Sequence, residues 1–153
     1  MRVIKAAFLA AAALGFADLA FAGPQFVNKD NQALNGYDAV AYHTAGAPTK
    51  GSAEFTYDYN GATWLFASAE NRDLFVTDPA KYAPAYDGHC AYGVAAGGRK
   101  FSGDPEVWTI EDGVLYVNVN QSIGERFLKD TAGYIETADQ KWTGIEGEPA
   151  AKP

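Results

Sequence analysis

The amino-acid pattern predicts an α+β fold, a small domain of two antiparallel β-hairpins with packed helices. Three features carry this reading. The stretch "FTYDYNGATWLFAS" (55–68) alternates apolar and polar residues on both sides of Asn60-Gly61. The stretch "VWTIEDGVLYVNVN" (107–120) repeats the arrangement around Asp112-Gly113. Each hairpin is followed by a run with helix-start signals.

Asn-Gly or Asp-Gly between alternating runs marks a tight hairpin, because a type I′ turn needs positive φ at both central residues. Phe55, Tyr57 and Tyr59, then Trp64 and Phe66, keep period two in the first hairpin. Trp108 and Ile110, then Leu115, Val117 and Val119, keep it in the second. Ser68 is expected to cap a helix over "SAENRDLFVTDPAKYAP", with Asn71 completing a near capping box and Leu74 and Phe75 on one face. Asp78 caps a further turn that Pro79 opens and Pro84 ends. Ser122 is expected to cap a last helix, 123–141, packing through Ile123, Phe127, Ile135 and Trp142, with Gly133 weakening its middle. "GYDAVAYHTAG" (36–46) suits a short strand or one helical turn. "GVAAGGRKFSGDPE" (93–106) reads as an adaptable loop without the lysine pattern of a phosphate cradle.

The chain has 153 residues, and its opening differs from the rest. Arg2 and Lys5 precede an alanine-rich apolar run that ends in Ala20-Phe21-Ala22. This is the pattern of a cleavable secretory signal over 1–22, which implies a periplasmic protein. The run is short for a membrane span and Asp18 interrupts it, so no membrane anchor is expected. Residues 23–35 read as an N-terminal arm, 36–142 as the domain and 143–153 as a flexible tail. Nineteen acidic residues against twelve basic ones leave a net charge of −7. That balance argues against nucleic acid and against anionic lipid, both of which are held by Lys and Arg.

Three segments, "NGYDAVAYHTAG", "FTYDYNGATWLFASAENRDLFVTDPAKYAPAYDGHCAYGVAAG" and "DPEVWTIEDGVLYVNVN", resemble in order and spacing the YHS domain family of exported bacterial proteins. The resemblance spans about 31–142. It implies a compact α+β fold and a metal-binding role, since the family is related to small metal-binding modules with cysteine ligands. In that family an aromatic residue often stands at the positions of His89 and His43, whereas Cys90 sits where the pattern places its cysteine.

Cys90 is the single cysteine, so no internal disulfide can form. In an oxidising compartment such a thiol is buried, metal-bound or paired with another molecule. The leading reading takes copper or zinc at Cys90, with His89 and His43 as further ligands, in a holding or carrier role. Neighbouring side chains on an extended chain point apart, so one ion reaches both His89 and Cys90 only if Gly88 bends the backbone. A closed structural zinc site inside one chain is not expected, for want of paired cysteines, which leaves a low-coordinate Cu(I) site or a site shared across a dimer. The competing reading is a periplasmic binding or structural module in which Cys90 is packed in the core and the ligand is a small molecule or a protein partner. Tyr37, Asp38 and Trp108 are expected to wall a pocket near the thiol. No catalytic constellation is legible, and the chain is read as a non-enzyme.

Overall fold

The computed structural model describes residues 24–153. The predicted secretory signal lies outside the described residues. Two antiparallel hairpins organise the rest. Strand β1 (Ser52–Tyr59) pairs with β2 (Ala62–Phe66), and β3 (Asp104–Glu111) pairs with β4 (Val114–Asn118). Asn60-Gly61 and Asp112-Gly113 form the turns, and all four residues have positive φ. The α+β expectation is met, with six helices among the described residues packed around the two hairpins: α1 (Ala41–Thr44), α2 (Ala69–Thr77), α3 (Pro79–Tyr82), α4 (Ala91–Gly97), α5 (Gln121–Phe127) and α6 (Thr131–Ile145).

Short polar caps start most helices. The Ser68 hydroxyl accepts from the Asn71 amide, and Asp78 accepts from the Lys81 amide with Pro79 at the first helical position. The last helical region departs from the predicted single helix. Asn120, not Ser122, caps α5, and Asp130 caps a separate α6 by accepting from Gly133. The predicted loop after Cys90 is also a helix, α4, which ends at Gly98 in the left-handed region. Residues 36–46 settle as a tight turn, Leu34–Gly36, followed by the single helical turn α1.

The tail is docked, contrary to the frayed end expected. Lys100 Nζ donates to the carbonyls of Glu146 and Glu148, both at 2.7 Å, and the Ala151 amide donates to His89 Nε2 at 3.1 Å. These contacts use the tail's main chain, so side-chain patterning carried no trace of them.

The apolar interior forms two clusters. One gathers Val40, Tyr42, Trp64, Phe66 and Phe75 between the first hairpin and α2. The other gathers Tyr86, Val94, Phe127 and Ala138 between α4, α5 and α6. Strand β4 belongs to both: Leu115 and Val117 face the first cluster and Tyr116 the second. Its residues 115–118 are all buried, as expected of a strand covered on both sides.

The same succession of elements occurs twice, displaced by 52 positions. The tight turn at Leu34, Asn35 and Gly36 returns at Tyr86, Asp87 and Gly88, with positive φ at all six residues. An eight-residue strand, a two-residue turn and a five-residue strand then follow in each half. Each longer strand breaks register at the matching place, Ser52/Thr56 and Asp104/Trp108. The bridge Tyr37–Lys50 returns as His89–Ser102, and the bond from the Asp38 amide to the Thr49 carbonyl returns from Cys90 to Phe101. Phe75 and Phe127, both fully buried, and the capping Asp78 and Asp130 are identical pairs at this offset.

One buried carboxylate ties the first half together. Asp38 Oδ1 accepts from the amides of Val40 (2.8 Å) and Ala41 (3.2 Å). Its Oδ2 accepts from the Ala67 amide (2.8 Å) and the Asn71 side-chain amide (2.7 Å). Helix α1, the end of β2 and helix α2 are thereby joined at one residue. Asp38→Ala strands these donors out of reach of water, a loss on the order of 3 kcal/mol. A matching fall in the urea unfolding midpoint, by circular dichroism, is the expected outcome.

Candidate functional site

The Gly88 turn delivers His89 and Cys90 to opposite surroundings. His89 bridges to Ser102 and Cys90 to Val117. The His89 ring lies against Phe26 and Trp142, with centroids 5.7 and 6.1 Å away. It is 0% exposed. Nδ1 lies 2.8 Å from the Tyr86 carbonyl, and Nε2 accepts from the Ala151 amide. A carbonyl at one nitrogen and an N–H at the other define the neutral tautomer with its proton on Nδ1. Both ring nitrogens are therefore engaged within the chain. Burial pushes the imidazole down to about 4.

Cys90 is 1% exposed and caps α4. Its sulfur accepts from the Gly93 amide at 3.4 Å and sits 3.6 Å from Asn118 Oδ1. Burial raises the thiol's titration, and the Gly93, Val119 and Tyr92 amides work against that rise. His43 is on α1, with its ring edge-on to Tyr82 at 5.4 Å. Its Nε2 is buried and, among the described residues, meets no hydrogen-bond partner. Burial lowers its titration as well. Cys90, His89 and His43 thus occupy three separate settings. Among the described residues, no group of three or more His, Cys, Asp or Glu side chains is placed to hold a metal ion.

The residues predicted to wall the thiol pocket lie elsewhere. Tyr37 donates from its hydroxyl to Glu106 at 2.8 Å, which with burial raises its titration. Asp38 is the buried junction described above. Trp108 packs edge-on against Tyr42 at 5.3 Å. The cavity that does reach Cys90 has a volume of about 380 Å³. Tyr92, Gly93, Ala96, Phe101, Val119 and Ile123 contribute to its wall. Phe101 stands at 45% exposure, and its ring lies so close to Gly93 that a Cβ there would meet it at 2.5 Å. The lining carries no charged side chain. Sequence reading passed over this cavity because half its wall comes from α4, a helix without an amphipathic stripe.

A second polar locus adjoins His89. The Asp87 carboxyl has one buried oxygen without a partner among the described residues, and burial raises it to about 6. The Asp87 main-chain carbonyl accepts from Phe26 N and Gln25 Nε2, which anchors the N-terminal arm. Lys100 lies over the Trp142 ring at 5.0 Å and holds the tail.

Two short hairpins with capped helices on their flanks define the class as a small α+β domain. The YHS domain family matches residues 40–86, from the residue before α1 to the second tight turn. Over that span the chain is similar to the YHS domain. The match ends before Cys90. No curated protein and no solved structure matches the chain. Among the described residues, no helix is long and apolar enough to cross a membrane.

Two outcomes follow from these settings. Cys90 will react with a disulfide labelling reagent at least tenfold more slowly in the folded protein than in urea, read by absorbance. The pH dependence of stability will carry two opposed contributions. Unfolded His89 titrates near 6.5 and folded His89 near 4, so its contribution is full above 6.5 and is lost as pH falls toward 4, about 3 kcal/mol in all. Asp87 moves the other way: its carboxyl rises from 3.8 to about 6, so its contribution is full below 3.8 and is lost as pH rises through 6. The two largely offset each other between pH 4 and 6, so wild-type urea midpoints will change little there, whereas His89→Phe will unmask the Asp87 contribution as a midpoint that falls as pH rises.

Proposed function

We propose that this chain is an exported, non-catalytic YHS-domain binding protein of the periplasm, and that it takes a compact apolar ligand in the cavity over Cys90. The cavity is the observation that supports the reading. It has about 380 Å³ of room, within the range of small-molecule sites, and its walls are aromatic and aliphatic. Export rests on the leader pattern of residues 1–22. Cys90 is then a packed wall residue that shows a polarisable sulfur to the ligand.

The metal reading retains one specific support. The YHS match suggests a metal-related role, and the cavity gives a path to the sulfur. In that reading Cys90 is the anchoring ligand for a soft ion such as Cu(I), with zinc the less suited choice for so few donors. His89 would join it only after giving up the Ala151 amide.

Titration with a neutral apolar fluorophore such as N-phenylnaphthylamine tests the first reading. The wild type should bind with one-to-one stoichiometry, and Gly97→Leu should weaken binding at least tenfold while circular dichroism stays unchanged. No atom lies within 4 Å of where a Cβ on Gly97 would stand, so the added side chain has room to enter without disturbing the helix. Absent binding by the wild type, or equal binding by both proteins, defeats the proposal. Cu(I) titration of wild type and Cys90→Ser under reducing conditions tests the second reading, and equal stoichiometry in the two removes it.

A further inference from the structure

The displacement by 52 positions reaches the chemistry of the site. Cys90 stands where Asp38 stands in the first half. Asp38 takes backbone donors from Val40, Ala41 and Ala67. The Gly93 amide donates to the Cys90 sulfur, as the Ala41 amide 52 positions earlier donates to Asp38, while the Tyr92 amide, the counterpart of Val40, donates to Asn118 Oδ1, which lies 3.6 Å from the same sulfur. The fourth donor to Asp38 is the Asn71 side chain, and its counterpart is Ile123. The cavity wall shows the same exchange elsewhere. Ala96 replaces Thr44, whose hydroxyl bonds the Val40 carbonyl, and Phe101 replaces Thr49.

The two backbones are therefore alike around this point and the side chains are not. In the first half a carboxylate and an amide fill the junction. In the second, a thiol and a branched alkyl group occupy those positions, and a cavity opens beside them. A buried carboxylate and its partner amide are replaced together or not at all, because either alone leaves an unpaired polar group in the interior. The paired change at 90 and 123 meets that condition.

We propose that residues 85–134 are a second YHS-type unit, lying beyond the span the family matches, in which the polar junction of the first unit has been exchanged for the wall of an apolar ligand pocket. The first unit then serves the fold and the second serves binding. The ligand half of this assignment rests on the function proposed above; the equivalence of the two units does not.

The test restores the first unit's junction in the second. Cys90→Asp and Ile123→Asn are made singly and together in the full chain, and urea midpoints are measured at pH 8. Each single change should lower the midpoint. The double variant should recover part of the loss, because the new carboxylate gains the Gly93 and Val119 amides and the introduced asparagine side chain takes the role of Asn71. The reverse exchange, Asp38→Cys with Asn71→Ile, supplies a second cycle should the first double variant fold poorly. Recovery in either cycle supports the equivalence; additive losses in both overturn it. The folded double variant should also bind N-phenylnaphthylamine at least tenfold more weakly than wild type. If wild type fails to bind the probe while recovery is seen, the pocket's role falls and the two-unit assignment stands.

Discussion

A carboxylate removed from water must be repaid with hydrogen bonds or it neutralises, and Asp38 meets that demand in full. Its two oxygens take three backbone amides and one side-chain amide from three different elements. None of those donors has a substitute nearby in the chain's own order: α1 begins next to Asp38, whereas Ala67 and Asn71 lie about thirty residues on. The first hairpin is thereby fixed against α1 and α2, and the aromatic cluster of Trp64, Phe66 and Phe75 closes over a frame already set. The tight Leu34–Gly36 turn that aims Asp38 inward needs positive φ, which accounts for Asn35 and Gly36 there.

The second half keeps this frame with different contents. Cys90 inherits one of the amides, that of Gly93, but not the charge, and its sulfur is a weak acceptor compared with a carboxylate. The Asp38 and Asn71 side chains meet in the first half, and a cavity is lined by Cys90 and Ile123 in the second. His89, meanwhile, faces away into the aromatic setting of Phe26 and Trp142. Adjacent residues that look like a ligand pair in sequence are thus directed to different faces, as extended backbone directs them.

The hairpins were legible because turn chemistry and period two agree at Asn60-Gly61 and Asp112-Gly113. Helix α2 was legible through Ser68, and α3 through Asp78 and Pro79. Helix α4 was not, since "AYGVAAG" has neither a polar stripe nor a conventional cap and its capping acceptor is a sulfur. The break between α5 and α6 falls at Leu128, Lys129 and Asp130, a stretch without glycine or proline to announce it. The repeat escaped notice because most paired positions differ in residue type; Asp38 and Cys90, or Asn71 and Ile123, share a place without sharing chemistry. Of the candidate site, Cys90 was legible as unusual, but the cavity beside it depends on α4 and so was not.

Strand β4 gives Leu115 and Val117 to one cluster and Tyr116 to the other. Neither half can lose its packing without uncovering one side of this strand. The two units are consequently not free to melt in succession, as repeats with separate cores often do. Opening on either side uncovers this five-residue partition, which favours one cooperative transition and release of the Tyr116 and Val117 amide protons through global unfolding.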